Sequence, residues 1–117
     1  MPGRLYLFQW DPVSAEKRAA ELRQAGWTVE VESQDGARGG RAILNHPPDL
    51  ILFDLAKRPS HSRETAAGIR GYKAGRRLTM LFIDGEAIDV DKTRAKVSDA
   101  LFTTSDLLLH HLSKLDF

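Results

Sequence analysis

The sequence predicts an α/β protein built on a parallel sheet covered by helices on both faces. Three observations carry that prediction. First, Leu50 to Phe53 is an unbroken apolar run between Pro47-Pro48 and Asp54, the pattern of a strand buried on both faces. Second, Leu78 to Ile83 repeats the pattern and again meets a carboxylate, Asp84, followed by Gly85. Third, strand-like and helix-like segments alternate along the chain, which implies right-handed crossovers between parallel strands. Carboxylates at such strand ends would lie at the carboxyl edge of the sheet, where open α/β folds place their chemistry.

The elements follow in order. Arg4 to Trp10 reads as the first strand. Asp11-Pro12 then supplies an N-cap and a proline at the first helical position. Ala15, Ala19, Leu22 and Ala25 recur at helical spacing with charged residues between them, and Gly26 closes the helix. Trp27 to Glu32 alternates apolar and polar residues, the signature of an edge strand with one wet face. Asp35 caps a second helix running to about Asn45, although Gly36, Gly39 and Gly40 weaken it by about 1 kcal/mol each relative to alanine. The central strand comes next, then a loop from Leu55 to Ser60. Ser60 or Ser62 caps a third helix through Ala66, Ala67, Ile69 and Tyr72, ended by Gly75. After Leu78 to Ile83, residues 86–97 predict a short helix and Ala100 to Thr103 a last strand. Ser105 caps a final helix that turns Leu108, Leu109, Leu112 and Leu115 to the core. The total is five strands and five helices.

The bulk numbers are those of a soluble globular protein. With 117 residues the chain predicts one domain, 1–117, with a sizeable core. A hydrophobic content of 42% with 28% charged residues favours neither disorder nor a membrane. No apolar run approaches the ~20 residues that cross a bilayer. Without cysteine there is no disulfide, thiolate metal site or thiol catalysis. The N-terminus runs straight into a strand, so no signal peptide is expected, and the cytoplasm is the expected location. The net charge of +1 conceals a basic block at residues 57–77, where Lys57, Arg58, Arg63, Arg70, Lys73, Arg76 and Arg77 face the single Glu64. A solvated helix face explains such a block; an acidic partner or nucleic acid is the functional alternative.

On these residues the chain resembles the CheY-like receiver domains of bacterial response regulators over essentially its whole length. Pro48 to Leu55, with Pro59 five residues after Asp54, is similar to their phosphoacceptor strand and loop. Pro12 and Gly26 fit their first helix, Leu78 to Gly85 their fourth strand, and Ala100 to Thr104 their fifth. The resemblance implies a flavodoxin-like three-layer sandwich of strand order 2-1-3-4-5, with the site at the switch point between the first and third strands.

It also implies a phosphorylation site with four parts, and the chain matches one of them. Asp54 takes the acceptor position. The acidic pair that would hold Mg²⁺ falls on Gln9 and Trp10, with Asp11 next to them. A neutral amide and an indole do not replace two carboxylates around a hard cation. The hydroxyl position falls on Asp84, whose charge repels a phosphoryl group, and the lysine position on Thr103. Asp11 and Asp54 are the Mg²⁺ ligands that remain, and Lys57 or Arg58 the substitute cations.

Four functional classes follow. A stand-alone pseudo-receiver would signal by binding a kinase or a downstream regulator, with phosphorylation impaired or absent. A working Asp54 acceptor with unusual Mg²⁺ ligation is the alternative. A nucleic-acid or acidic-partner module acting through residues 57–77 is the third. An enzyme is the least supported, because Asp11, Asp54 and Asp84 come with no nucleophile–base pair, phosphate loop or zinc spacing. Receivers commonly pair through the fourth helix, fifth strand and fifth helix, so a homodimer through residues 89–115 is expected. His46, His61, His110 and His111 have no metal-ligand spacing and read as structural or surface residues.

Overall fold

The computed structural model describes residues 2–115. The strands are β1 (Arg4–Phe8), β2 (Thr28–Glu32), β3 (Leu50–Asp54), β4 (Thr79–Ile83) and β5 (Leu101–Thr103). All pairings are parallel and the order is β2-β1-β3-β4-β5. The helices between and after them are α1 (Pro12–Gln24), α2 (Gly36–Asn45), α3 (Pro59–Arg70), α4 (Ala87–Lys96) and α5 (Leu108–Ser113).

Strand alternation sends two different cores to the two faces of the sheet. Leu5, Leu7, Leu50, Leu52, Leu81 and Ile83 form an aliphatic layer under α1 and α5, closed by Ala19, Leu22, Leu108 and Leu112. Tyr6, Phe8, Ile51, Phe53, Met80 and Phe82 form an aromatic layer under α2, α3 and α4, closed by Ile43, Ala66, Ile69 and Val97. The register stacks phenylalanines across four strands: Phe8 on Phe53 at 5.0 Å, Phe53 on Phe82 at 4.8 Å, and Phe82 on Phe102 at 5.7 Å between ring centroids. Arg94 of α4 closes the row, 4.8 Å above the Phe102 ring. This row lies one register step below Asp54 and makes a stiff floor for the carboxyl edge.

The glycines that weaken α2 on paper are required by packing at two positions. A Cβ on Gly39 would fall 2.3 Å from Phe8 Cε1, and one on Gly36 2.2 Å from Thr65 Oγ1. The helix forms because tertiary contact outweighs propensity. Asp35 caps it as expected, accepting the Ala37 and Arg38 N–H groups at 2.9 and 3.2 Å.

Several boundaries differ from the sequence reading. β1 stops at Phe8, because Gln9 and Trp10 leave the β3 register. Helix α3 begins at Pro59 rather than at a serine cap: Arg58 takes a left-handed φ of 49° and proline preorganises the first turn. The same helix stops at Arg70, and a separate 3-10 turn, Lys73–Gly75, follows an exposed Tyr72. The last helix is shortened in the same way. Residues Ser105–Leu107 form a 3-10 turn, and Leu109 is half exposed while Leu108 and Leu112 are buried. His61 lies in the first turn of α3.

Candidate functional site

Asp54 ends β3 at the crossover between β1 and β3 and is only 2% exposed. Its side chain turns back onto the loop it begins: Oδ1 accepts the Ala56 N–H at 3.2 Å and Oδ2 the Lys57 N–H at 3.1 Å. Burial pushes its carboxyl above the usual carboxylate range, only partly offset by those two bonds; the nearby Asp84 charge raises it further and the Arg18 charge lowers it. The ionised form is the nucleophile, and burial and the Asp84 charge both oppose that form.

Gln9 and Trp10, the two residues that follow β1, are held in different ways. Gln9 is buried, and its Oε1 has no hydrogen-bond partner among the described residues. Trp10 is also buried. Its indole N–H donates to Ser62 Oγ at 2.8 Å, and that hydroxyl donates to the Asp54 main-chain carbonyl at 2.5 Å. The His61 ring lies 4.0 Å from the Trp10 ring. The indole therefore pins α3 to the end of β3.

Asp11 is more open. Its carboxylate accepts Ser14 Oγ–H at 2.5 Å and lies 3.7 Å from Lys57 Nζ. The Ser14 bond and the Lys57 charge hold its carboxyl below the usual range. Asp11 stands at the N-cap position without capping through its side chain. Thr103 ends β5 opposite Ile83, and its carbonyl accepts the Asp84 N–H at 3.2 Å.

Asp84 is the most heavily bonded member. Its backbone is left-handed, φ 58°, a conformation that aspartate tolerates. Oδ1 accepts the Ser105 N–H at 2.7 Å and Oδ2 accepts the Ser105 hydroxyl. Arg18 closes a ring: Nη2 donates to Ser105 Oγ at 2.7 Å and lies 3.9 Å from Asp84 Oδ2. Ser105 is thus spent on Asp84 rather than on capping the last helix.

Arg18 is the functional residue that the sequence reading missed. Lys57 and Arg58 were the expected cations, but Lys57 goes to Asp11 and Arg58 shapes the start of α3. Arg18 borders the buried Ala15–Ala19–Leu22 stripe of α1. A helix side chain leans toward its own N-terminus, so an arginine two turns inside α1 reaches the carboxyl edge. That geometry, rather than any motif, was the signal available.

A magnesium ion requires several hard oxygen ligands in near-octahedral array. Here Trp10 offers none, Gln9 offers an uncharged one, and Asp11 is engaged with Ser14 and Lys57. Among the described residues no group of three histidine, aspartate or glutamate side chains could hold a metal ion. The residues present do not fit the ion. A separate cavity of about 570 Å³ lies between α2 and α3, lined by Gly36, Gly40, Leu44, Gly68, Ile69 and Tyr72 among others, and Asp11, Asp54 and Asp84 do not line it.

The basic block divides. Arg63 pairs with Asp89 at 3.4 Å and Arg70 with Asp99 at 2.8 Å, tying α3 to α4 and to the turn after it. Arg58, Lys73, Arg76 and Arg77 are exposed.

Comparison with known proteins places the fold. No protein-family model and no curated protein matches the sequence. Solved structures do match in shape. Chemotaxis protein CheY4 of Vibrio cholerae superposes with a TM-score of 0.82 at 13% identity, covering 99% of this chain and 100% of that one. A CheY-like response regulator receiver domain from Methylobacillus flagellatus gives 0.79 at 13% identity, with 99% and 100% covered. The receiver domain of a sensor histidine kinase from Pseudomonas aeruginosa, which holds a magnesium ion in its active-site cleft, gives 0.72 at 20% identity, with 97% and 93% covered. The chain has the fold of the CheY-like receiver domains.

Proposed function

We propose that this protein is a degenerate receiver, a pseudo-receiver that carries a signal in two-component-type regulation through protein–protein contact, with phosphorylation at Asp54 impaired or absent. The observation that carries the reading is Trp10. At a position where a receiver needs a metal-binding carboxylate, this chain has an indole bonded to Ser62 and packed against His61. Its loss of ligand chemistry is compensated by a structural role, so the position has changed its purpose. Neutral Gln9 and the buried, reluctantly ionised Asp54 support the same reading.

The partner is a protein, either a kinase or a downstream regulator, and the chain is a cytoplasmic binding module rather than an enzyme. Among the described residues no helix is long and apolar enough to cross a membrane. The contact face we assign is built from α4, β5 and α5, where Ile88, Leu107 and Leu109 are 60%, 55% and 50% exposed. A homodimer would use the same face, and light scattering on the purified chain tests it. The whole reading is tested by incubation with acetyl phosphate and Mg²⁺. No phosphorylated product is expected; a product that disappears in Asp54→Ala would overturn it in favour of a working acceptor.

A further inference from the structure

A ring of three side chains joins two loops at the carboxyl edge. Asp84 follows β4 and leads into α4, while Ser105 follows β5 and starts the 3-10 turn that leads into α5. The Asp84 carboxylate accepts both donors of Ser105, main chain and hydroxyl, and Arg18 of α1 donates to Ser105 while facing Asp84. The ring is well shielded, with the Arg18 side chain 14% and the Asp84 side chain 31% exposed. Bonds to an ionised acceptor are stronger than neutral ones, and partial burial strengthens them further.

The ring has the components of an occupied anion site: a negative oxygen pair, a guanidinium, a hydroxyl and a backbone N–H. The anion is supplied by the chain itself. It stands close enough to Asp54 that both Asp84 and Arg18 act on that carboxyl electrostatically. The segments it joins carry the exposed Ile88, Leu107 and Leu109.

We infer that Asp84, held by Ser105 and Arg18, is a permanent internal anion that latches the start of α4 to the start of α5, so that the face carrying Ile88, Leu107 and Leu109 stays in one arrangement whatever happens at Asp54. The inference rests on the pseudo-receiver reading and specifies its regulation: the output is set by how much protein is present or by what binds it, and not by a phosphoryl switch. Arg18 is the positioning residue, since it satisfies Ser105 and balances the Asp84 charge.

Amide hydrogen exchange, followed residue by residue in solution, tests the latch. In the native chain the amides within 105–108 that have acceptors, Ser105, Leu107 and Leu108, are protected, and adding Mg²⁺ with beryllofluoride leaves them unchanged. Asp84→Gly tolerates the left-handed backbone and deletes the carboxylate; it speeds exchange at 105–108 by about ten- to a hundredfold, the loss of charge-assisted bonds, while β1 and β3 hold their protection. Ser105→Ala keeps the backbone donor and removes only the hydroxyl, so it gives a smaller acceleration in the same residues. If both variants exchange like the native chain, the latch is overturned even though the pseudo-receiver reading stands. If beryllofluoride alters exchange at 105–108 in the native chain, the fixed state is overturned. A phosphorylated Asp54 from acetyl phosphate would instead remove the reading beneath it, so the two failures are distinguishable.

Discussion

At the end of β3, Asp54 is buried on the phenylalanine floor and accepts only weak backbone bonds, longer than 3 Å, from the loop it begins. One step beyond the neighbouring strand β4, Asp84 is partly buried, left-handed and bound to a serine and an arginine from two other elements. The strands are adjacent and in register, and both lead into loops at the same edge. The difference teaches that a carboxylate's position at the sheet edge does not decide its role; the partners that reach it do. Asp54 ends its strand buried, with only two main-chain donors on its carboxylate. Asp84 has gained partners that make it structural.

The largest test of this contrast is Asp84→Gly, expected to cost about 2–4 kcal/mol, because it removes two charge-assisted bonds and leaves Arg18 without its counter-charge. Urea unfolding measures it, and a loss under about 0.5 kcal/mol would erase the contrast. A third carboxylate calibrates the scale. Glu32 on edge strand β2 is buried, bonded by Arg38 Nε and Nη2 at 2.7 and 2.8 Å, and held down to about 2, first by Arg38 and then by the Asp35 and Gln34 N–H groups. A depressed carboxyl gives stability that is complete above its ordinary value and lost as pH falls toward 2. Acid should therefore remove about 1–3 kcal/mol in that window, the range allowing for solvent screening of the exposed guanidinium, and Arg38→Gln should flatten the profile.

Arg18→Met comes next, at about 1–2 kcal/mol, because Asp84 keeps its Ser105 bonds but loses the cation. Its effect should be non-additive with Asp84→Gly, since both act on one ring. The smallest effect has the opposite sign. Asp54 has a raised carboxyl, so the native state binds its proton more tightly than the unfolded chain does, and its ionisation subtracts stability as pH rises above the ordinary carboxylate range. Asp54→Asn should give a small gain in urea-unfolding stability at neutral pH, in the direction the raised carboxyl sets. A loss as large as that of Asp84→Gly would show that the Asp54 charge is in structural use after all.

Much of the fold was legible in the chain because burial on two faces writes unbroken apolar runs. Leu50 to Phe53 and Leu78 to Ile83 marked the centre of the sheet, and the wet alternation of Trp27 to Glu32 marked an edge. What was hidden depends on contacts between distant elements. The need for Gly36 and Gly39 arises from Thr65 and Phe8, and the start of α3 from the left-handed Arg58 rather than from a serine. Ser105 read as a cap, but an aspartate 21 positions earlier claims both of its donors. At the site, the chain showed that Gln9, Trp10 and Asp11 follow the first strand and that Asp54 and Asp84 follow apolar runs. The direction of the Trp10 ring and the reach of Arg18 were not legible, because a side chain's orientation is set by its partners and not by its spacing.

The most direct measurement is an experimental structure of the chain soaked with Mg²⁺ and beryllofluoride. The account predicts no beryllofluoride on Asp54, no metal beside it, and Asp84 still bonded to Ser105 with Arg18 in place. Beryllofluoride bound to Asp54 with a coordinated metal, and Asp84 turned away from Ser105, would contradict it.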